Sequence, residues 1–395
     1  MDDSKCIYEE LDLVLYNRVD YTKVNSEMTD LERRFVHGLI RNFKPKKLLE
    51  IGVSTGGGSV NLLNAISDDK LATLTSVDRS IKYYRNNEIN IGSDVATLFP
   101  KLPCAKWKLL IGVDISEVIE DFEEFFDFAI IDTAHMHPVE SLNFLCVLPF
   151  LRDGAVVVFH DISLFYFSEC KHTQLATRIL ISALSGEKVF PAQKSALYIS
   201  ETEPVHNICA IIITKELRRY IYNLFIALSI PWELYPVDDI ANIRKFLYKY
   251  YCKENLVLFD EAEGANLAYK ISGGATHSIA KLSSVLKKLS KASIFYGAGQ
   301  NMRLLLRLYS LCEIEFNYPI WDKNAAKVNQ IKKYPVTFPD LDTHVTGITA
   351  IITVTDNAVA TLLNKQLEEL GYTCICGFEE LFSDLQTTNY LDVGI

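Results

Sequence analysis

Five residues in one stretch have the types and spacing to act together. "FAIIDTAHMHPVESLNFLCVLPFLRDGAVVVFHDIS" carries Asp132, then His135 and His137, then His160 and Asp161. Two chemistries suit such a set. Asp132 and Asp161, with His160, can ligate a divalent cation. Oxygen ligands suit Mg²⁺, and a histidine tilts the site toward Mn²⁺ or another transition metal. Alternatively, an imidazole with a near-neutral pKa takes the proton from a substrate hydroxyl. His137, next to Pro138, reads as a packed structural residue.

For these residues to meet, two strands must end side by side. "FAIIDT" and "AVVVFHD" are short buried-strand runs, and they belong to a longer series: "KLLEIGV", "LTSVD", "WKLLIGV", and later "ICAIIIT". Helical stretches alternate with them. That alternation predicts an α/β fold, a doubly wound and mostly parallel sheet. In such a sheet the carboxyl ends of the strands line one crevice.

The first strand runs into "LLEIGVSTGGGSV", with Glu50 and four glycines, Gly52, Gly56, Gly57 and Gly58. A triphosphate-binding loop needs G-x-x-x-x-G-K-[ST], and no lysine follows here. A dinucleotide fingerprint needs its first two glycines one residue apart, and these are four apart. What remains is Glu50-x-Gly52, then Gly56. Glycines there let the backbone pass close under a ligand at a helix N-terminus.

The Glu50–Gly52–Gly56 pattern resembles the first motif of class I S-adenosylmethionine-dependent methyltransferases. The resemblance implies S-adenosylmethionine as cofactor, held by Glu50, Gly52, Gly56 and Gly57. It also implies that Asp78, ending "LTSVD", accepts the ribose hydroxyls, since a carboxylate offers two acceptor oxygens. Asp114 would meet the adenine, and Asp132 would also line the cofactor. The ordinary alternative for an acid after a strand is to cap the next helix. The block from Asp132 to Asp161 resembles an O-methyltransferase subfamily that includes antibiotic-sugar O-methyltransferases and cephalosporin hydroxylase-like proteins. This resemblance covers about residues 45 to 165 and, more weakly, on to about 255. It implies Asp132, His135 and His160 as catalytic residues, with His135 the first choice of base because it stands three residues after Asp132. It leaves the metal open, because relatives that bind one usually carry an acid where His160 stands.

The whole chain fits this scale. Its 395 residues suggest two or three domains. Hydrophobic residues make up 49% and charged ones 23%, enough to fill sizeable cores. The formal net charge of −10 disfavours a nucleic-acid partner, which needs excess Lys and Arg. No run approaches a membrane span, and the acidic start "MDDSKCIYEE" is unlike a signal peptide. Nine scattered cysteines do not suit a closed disulfide framework, and Cys374 and Cys376 read as packed strand residues. The expected location is cytoplasmic, with reduced thiols.

Residues 1–45 are expected to form a peripheral helical cap, opened by a capping box of Thr29 and Glu32. Residues 46–260 form the methyltransferase-like domain, 261–290 a linker or helix around Gly273 and Gly274, and 291–395 a second, smaller Rossmann-like α/β domain. In the last, "SIFYGAGQNMRLLL" holds Gly297 and Gly299 but has Met302 at the third glycine position. Asp322 lies 23 residues after Gly299, where a ribose-binding acid would stand, and Arg303 could face a phosphate. This half resembles small Rossmann-like domains that accompany sugar-modifying enzymes.

These expectations combine into a methyltransferase acting on a hydroxyl of a sugar or sugar nucleotide, in a surface polysaccharide or secondary metabolite. The acceptor is a small molecule, and a homo-oligomer is allowed. The N-terminal helix and the tyrosine-rich segment after 165 are candidate lids. Two rivals stand beside this reading. One is an NAD(P)-dependent sugar-nucleotide oxidoreductase using the C-terminal half. The other is a non-catalytic, methyltransferase-like binding protein.

Overall fold

The computed structural model describes residues 13–101, 105–122, 125–166, 175–192, 206–272 and 278–385. Gly273, Gly274 and part of the tyrosine-rich segment after 165 lie outside them. The chain divides into two compact units, Met1–Leu234 with Ala241–Val257, and Tyr235–Ile240 with Leu258–Ile395. No helix among the described residues is long and apolar enough to cross a membrane.

The first unit is built on a seven-stranded sheet. Its strands are β1 (Lys47–Ile51), β2 (Thr73–Asp78), β3 (Trp107–Ile111), β4 (Phe126–Ile131), β5 (Leu151–His160), β6 (Lys188–Val189) and β7 (Ile208–Ile212). Their order is β3-β2-β1-β4-β5-β7-β6. The first five are parallel, and β7 runs antiparallel to both β5 and β6. Strand order therefore reverses between β1 and β4, the place where such sheets open a ligand crevice. Strands β1 and β4, and β5 from Ala155 to His160, are almost wholly buried, which is why they read as apolar runs rather than alternating ones.

The N-terminal helix Asp30–Phe43 forms as its sequence predicts. Thr29 accepts the Glu32 N–H, and Glu32 accepts the Thr29 N–H at 2.7 Å. Its place differs from the peripheral one expected. Phe35, Val36, Leu39 and Ile40 join Leu48, Val60, Leu74, Phe128 and Val158 in one core. Spacing of three and four residues makes that apolar stripe, so the helix is part of the body of the unit.

The second unit has its own sheet: β8 (Ile294–Tyr296), β9 (Ile320–Trp321), β10 (Gln330–Ile331), β11 (Tyr334–Thr337), β12 (Thr349–Ile352) and β13 (Thr373–Cys376), in the order β10-β11-β9-β8-β12-β13. All pairs are parallel except β10 with β11. The expected linker region is largely helical, in Lys253–Ile271 and Ile279–Leu286. Cys374 and Cys376 lie half-buried on β13 and are free thiols.

Candidate active site

The glycine loop leaves β1 at the crevice. Gly52 has φ +86°, and a Cβ there would lie 1.7 Å from the Asp132 carbonyl oxygen, so no side chain fits. The Gly52 N–H donates to Val77 O, and the Asp132 N–H donates to Ile51 O. These bonds lock the ends of β1, β2 and β4 together. Gly56, at φ +104°, turns the chain into the helix Gly57–Ala65. At Gly57 a Cβ would lie 2.7 Å from the Ser26 Cβ. Residues 25 and 26 therefore rest on the loop, held by Asp94, which accepts the Asn25 N–H at 2.9 Å and the Thr55 hydroxyl at 3.1 Å.

The predicted cofactor acids fall into distinct places. Glu50 is buried beneath the loop, where one oxygen of its carboxyl group accepts the Ser59 and Ser76 hydroxyls at 2.5 and 2.6 Å. Burial pushes its pKa up to about 8. Asp78 ends β2 and accepts three backbone N–H groups: Val53 at 2.8 Å and Ser54 at 3.1 Å on one oxygen, Ser80 at 2.7 Å on the other. A carboxylate has about four acceptor positions, so roughly one remains for a ligand. Asp114 caps the helix Ile115–Val118, accepting the Ser116 N–H at 2.9 Å, with Glu117 completing a capping box. That is the ordinary use of an acid after a strand.

Asp132, His135, His160 and Asp161 do converge. His135 Nε2 lies 3.3 Å from Asp132 Oδ1 and 3.2 Å from Asp161 Oδ2. One ligand atom from each of Asp132, His135 and Asp161 can be chosen so that all lie within 4.8 Å of one another. The trio takes His135 where the sequence suggested His160. His160 is 1% exposed: Nδ1 is 3.3 Å from Asp132 and 3.5 Å from Asp161, and Nε2 is 3.6 Å from Glu32. His135 and Asp161 both occupy the left-handed region, at φ +55° and +54°. Such strain in non-glycine residues concentrates at functional sites.

Charge sets the protonation of this cluster. Burial alone would lower the His135 pKa, but Asp132, Asp161 and Glu140 outweigh it and raise it to about 9. The same contest leaves His160 well above its ordinary value, through Asp161 and Asp132. Burial would raise Asp132, yet His160 and His135 hold it far below the usual range. Carboxylates gathered round one imidazole call for positive charge, which a proton or a divalent cation can supply.

Sequence reasoning missed three contributors. Glu140, buried, accepts the Thr133 hydroxyl at 3.0 Å and the His135 backbone N–H, fixing the loop. Its only signal was an acid in the first turn of the helix after His137. Glu32 was legible as a cap but not as a neighbour of His160. Asn207 bonds Asp161 and carried no signal. His137 is buried as expected; its N–H donates to Glu233 and its carbonyl accepts from Glu233 and Leu234, while burial lowers its pKa to about 4.

The second unit repeats the loop device. The Gly297 N–H donates to Trp321 O at 2.8 Å, and Asp322 accepts the Ala298 N–H at 2.8 Å. Arg303 is paired with Asp238 at 2.5 Å.

Residues 49–162 match a protein family described as a methyltransferase domain. No curated protein matches the chain in sequence. Among solved structures, the chain is similar to the O-methyltransferase TomG from Streptomyces achromogenes, involved in tomaymycin synthesis and solved with S-adenosylmethionine. Identity is 17%, covering 47% of this chain and 81% of that one, with a TM-score of 0.36. It is also similar to an O-methyltransferase from Bacillus cereus solved with S-adenosylhomocysteine, at 14% identity over 54% of this chain and 92% of that one, with a TM-score of 0.37. The family match places a methyltransferase domain in the first unit.

Proposed function

We propose that this enzyme is an O-methyltransferase whose acceptor hydroxyl is activated at Asp132, His135 and Asp161 with a divalent cation, Mn²⁺ or Mg²⁺. One observation carries the reading: three ligand atoms within 4.8 Å of one another, at the carboxyl ends of β4 and β5 beside the glycine loop. Two carboxylates and one imidazole fit such a cation by donor type. When bound, the cation would lower the pKa of an acceptor hydroxyl, and S-adenosylmethionine supplies an electrophilic methyl group. The chain's own residues supply alignment. Gly52 and Gly56 bring the backbone under the cofactor, and Asp78 offers its remaining acceptor position to the ribose. Asp132 and Asp161 hold His135 at the acceptor side. Alignment of this kind can account for several orders of magnitude in rate.

The acceptor class we favour is a sugar or sugar nucleotide, supported by the separate α/β unit with its Gly297–Asp322 turn. In a second reading His135 removes the hydroxyl proton without a metal; it is held between two carboxylates that raise its pKa to about 9, so this role requires the ring to have lost its own proton, toward alkaline pH.

Calorimetric titration with S-adenosylmethionine, S-adenosylhomocysteine, NAD⁺ and NADPH, with and without Mn²⁺, followed by methyl transfer to a panel of sugar nucleotides, tests the proposal. Micromolar binding of the first two and cation-dependent transfer are expected. Transfer that survives chelation would select the metal-free reading. Binding of a nicotinamide cofactor alone would overturn both.

A further inference from the structure

We propose that Asn207 is a positioning residue that selects which oxygen of Asp161 faces the acceptor site. The inference rests on reading Asp132, His135 and Asp161 as that site. Asn207 lies outside the segment 49–162 that matches the methyltransferase family. It immediately precedes β7, whose first residue Ile208 pairs with His160, so the antiparallel register brings it alongside Asp161.

The side chain is fully buried, and both ends of its amide are engaged. Its Nδ2 donates to Asp161 Oδ1 at 2.7 Å, and its Oδ1 accepts the Ser163 N–H at 3.1 Å. The second bond fixes the sense of the first. A backbone N–H can only donate, so the amide oxygen must face Ser163 and the NH₂ must face Asp161. Ser163 is held in turn, its hydroxyl donating to His206 O at 2.6 Å and accepting from Arg178 at 2.9 Å. Pinning Oδ1 leaves Oδ2 as the oxygen 3.2 Å from His135 Nε2. Partners one step behind a ligand set are the usual means of fixing such an orientation.

The test uses two variants of the full chain labelled in its histidines. Asn207→Leu removes both bonds. Asn207→Asp keeps the size and the acceptor for Ser163 but sets a carboxylate against Asp161, and it carries the test if the leucine variant fails to fold. Without added metal, each folded variant is expected to move the His135 ring resonances and leave those of His37 in place. Mn²⁺ affinity should fall about 10- to 100-fold while S-adenosylhomocysteine affinity holds. Unmoved His135 resonances in a folded variant would overturn the proposal. A parent protein that takes up no Mn²⁺ would count against the cation reading alone, since the resonance comparison still decides the role of Asn207.

Discussion

The carboxylate of Asp78 accepts the backbone N–H of Val53 at 2.8 Å. The acid at the end of the second strand thus holds the glycine loop that follows the first. It grips Ser54 and Ser80 as well, so most of its acceptor capacity is used before any ligand arrives. Two consequences separate by substitution. Asp78→Asn keeps one oxygen but sets an NH₂ against either the loop or the ribose; Asp78→Ala removes both functions. S-adenosylhomocysteine affinity should fall at least about tenfold in the first, the cost of a lost charge-assisted bond, and further in the second. Calorimetry at parent-like affinity in both would remove Asp78 from the cofactor site.

Gly52 and Asp132 share a tighter constraint. The missing Cβ of Gly52 would overlap the Asp132 carbonyl oxygen, in backbone that cannot rotate away. Gly52→Ala must part β1 from β4 at the crevice or shift Asp132. Displacement of about 1 Å at a reacting centre can cost on the order of 10²-fold in rate. The variant should lose turnover by that order and melt several degrees lower. Parent-like turnover would mean that Asp132 does not need its present place.

The sheet was legible because buried parallel strands are continuous apolar runs with acids at their ends. "FAIIDT" and "AVVVFHD" gave both the strands and the residues they position. The hairpin Lys82–Tyr83 with Asn86–Asn90 was not legible, since its strands are polar and mostly exposed. In the site, acids and histidines at strand ends could be read locally. Asn207, 46 residues from Asp161, could not, because only the antiparallel return of β7 brings it there. Asp114 shows the limit in the other direction. An acid after a strand has one appearance whether it caps or binds, and here the cap made with Ser116 and Glu117 uses one of its two oxygens.

His135 and Asp161 should matter to chemistry more than to cofactor binding. His135→Ala and Asp161→Asn are each expected to lower methyl transfer by about 10²- to 10⁴-fold, the range for a lost acid–base or charge-stabilising group. S-adenosylhomocysteine affinity should change little. Mn²⁺ binding followed by electron paramagnetic resonance should weaken in both. Full turnover in either variant would move the acceptor site away from the cluster.

In the second unit, Glu263 is fully buried with Arg307, whose Nε and Nη2 lie 2.6 Å from its Oε1, and the Tyr235 hydroxyl donates to the same oxygen at 2.9 Å. Removing one charge leaves the other buried and unpaired. Glu263→Gln or Arg307→Met should each cost about 3–5 kcal/mol, whereas replacing both with apolar residues should cost less than the sum. A double-mutant cycle on thermal unfolding measures this; additive losses would show that the pair is not coupled.

Glu50 makes stability depend on pH with a definite sign. Its folded-state pKa is about 8 against an ordinary 4.5, because burial disfavours the carboxylate more than Ser59 and Ser76 favour it. Between those values the folded chain holds a proton that the unfolded chain has released. The contribution is therefore fully present below about pH 4.5 and is lost as pH rises through about 8. Glu50→Gln resembles the protonated form and has no proton to lose. Its melting temperature relative to the parent should rise steadily from pH 5 to pH 9, reflecting on the order of 3–5 kcal/mol at the alkaline end. A difference that stays flat across that range would mean that Glu50 is ionised in the folded protein, with Ser59 and Ser76 bonding a true carboxylate.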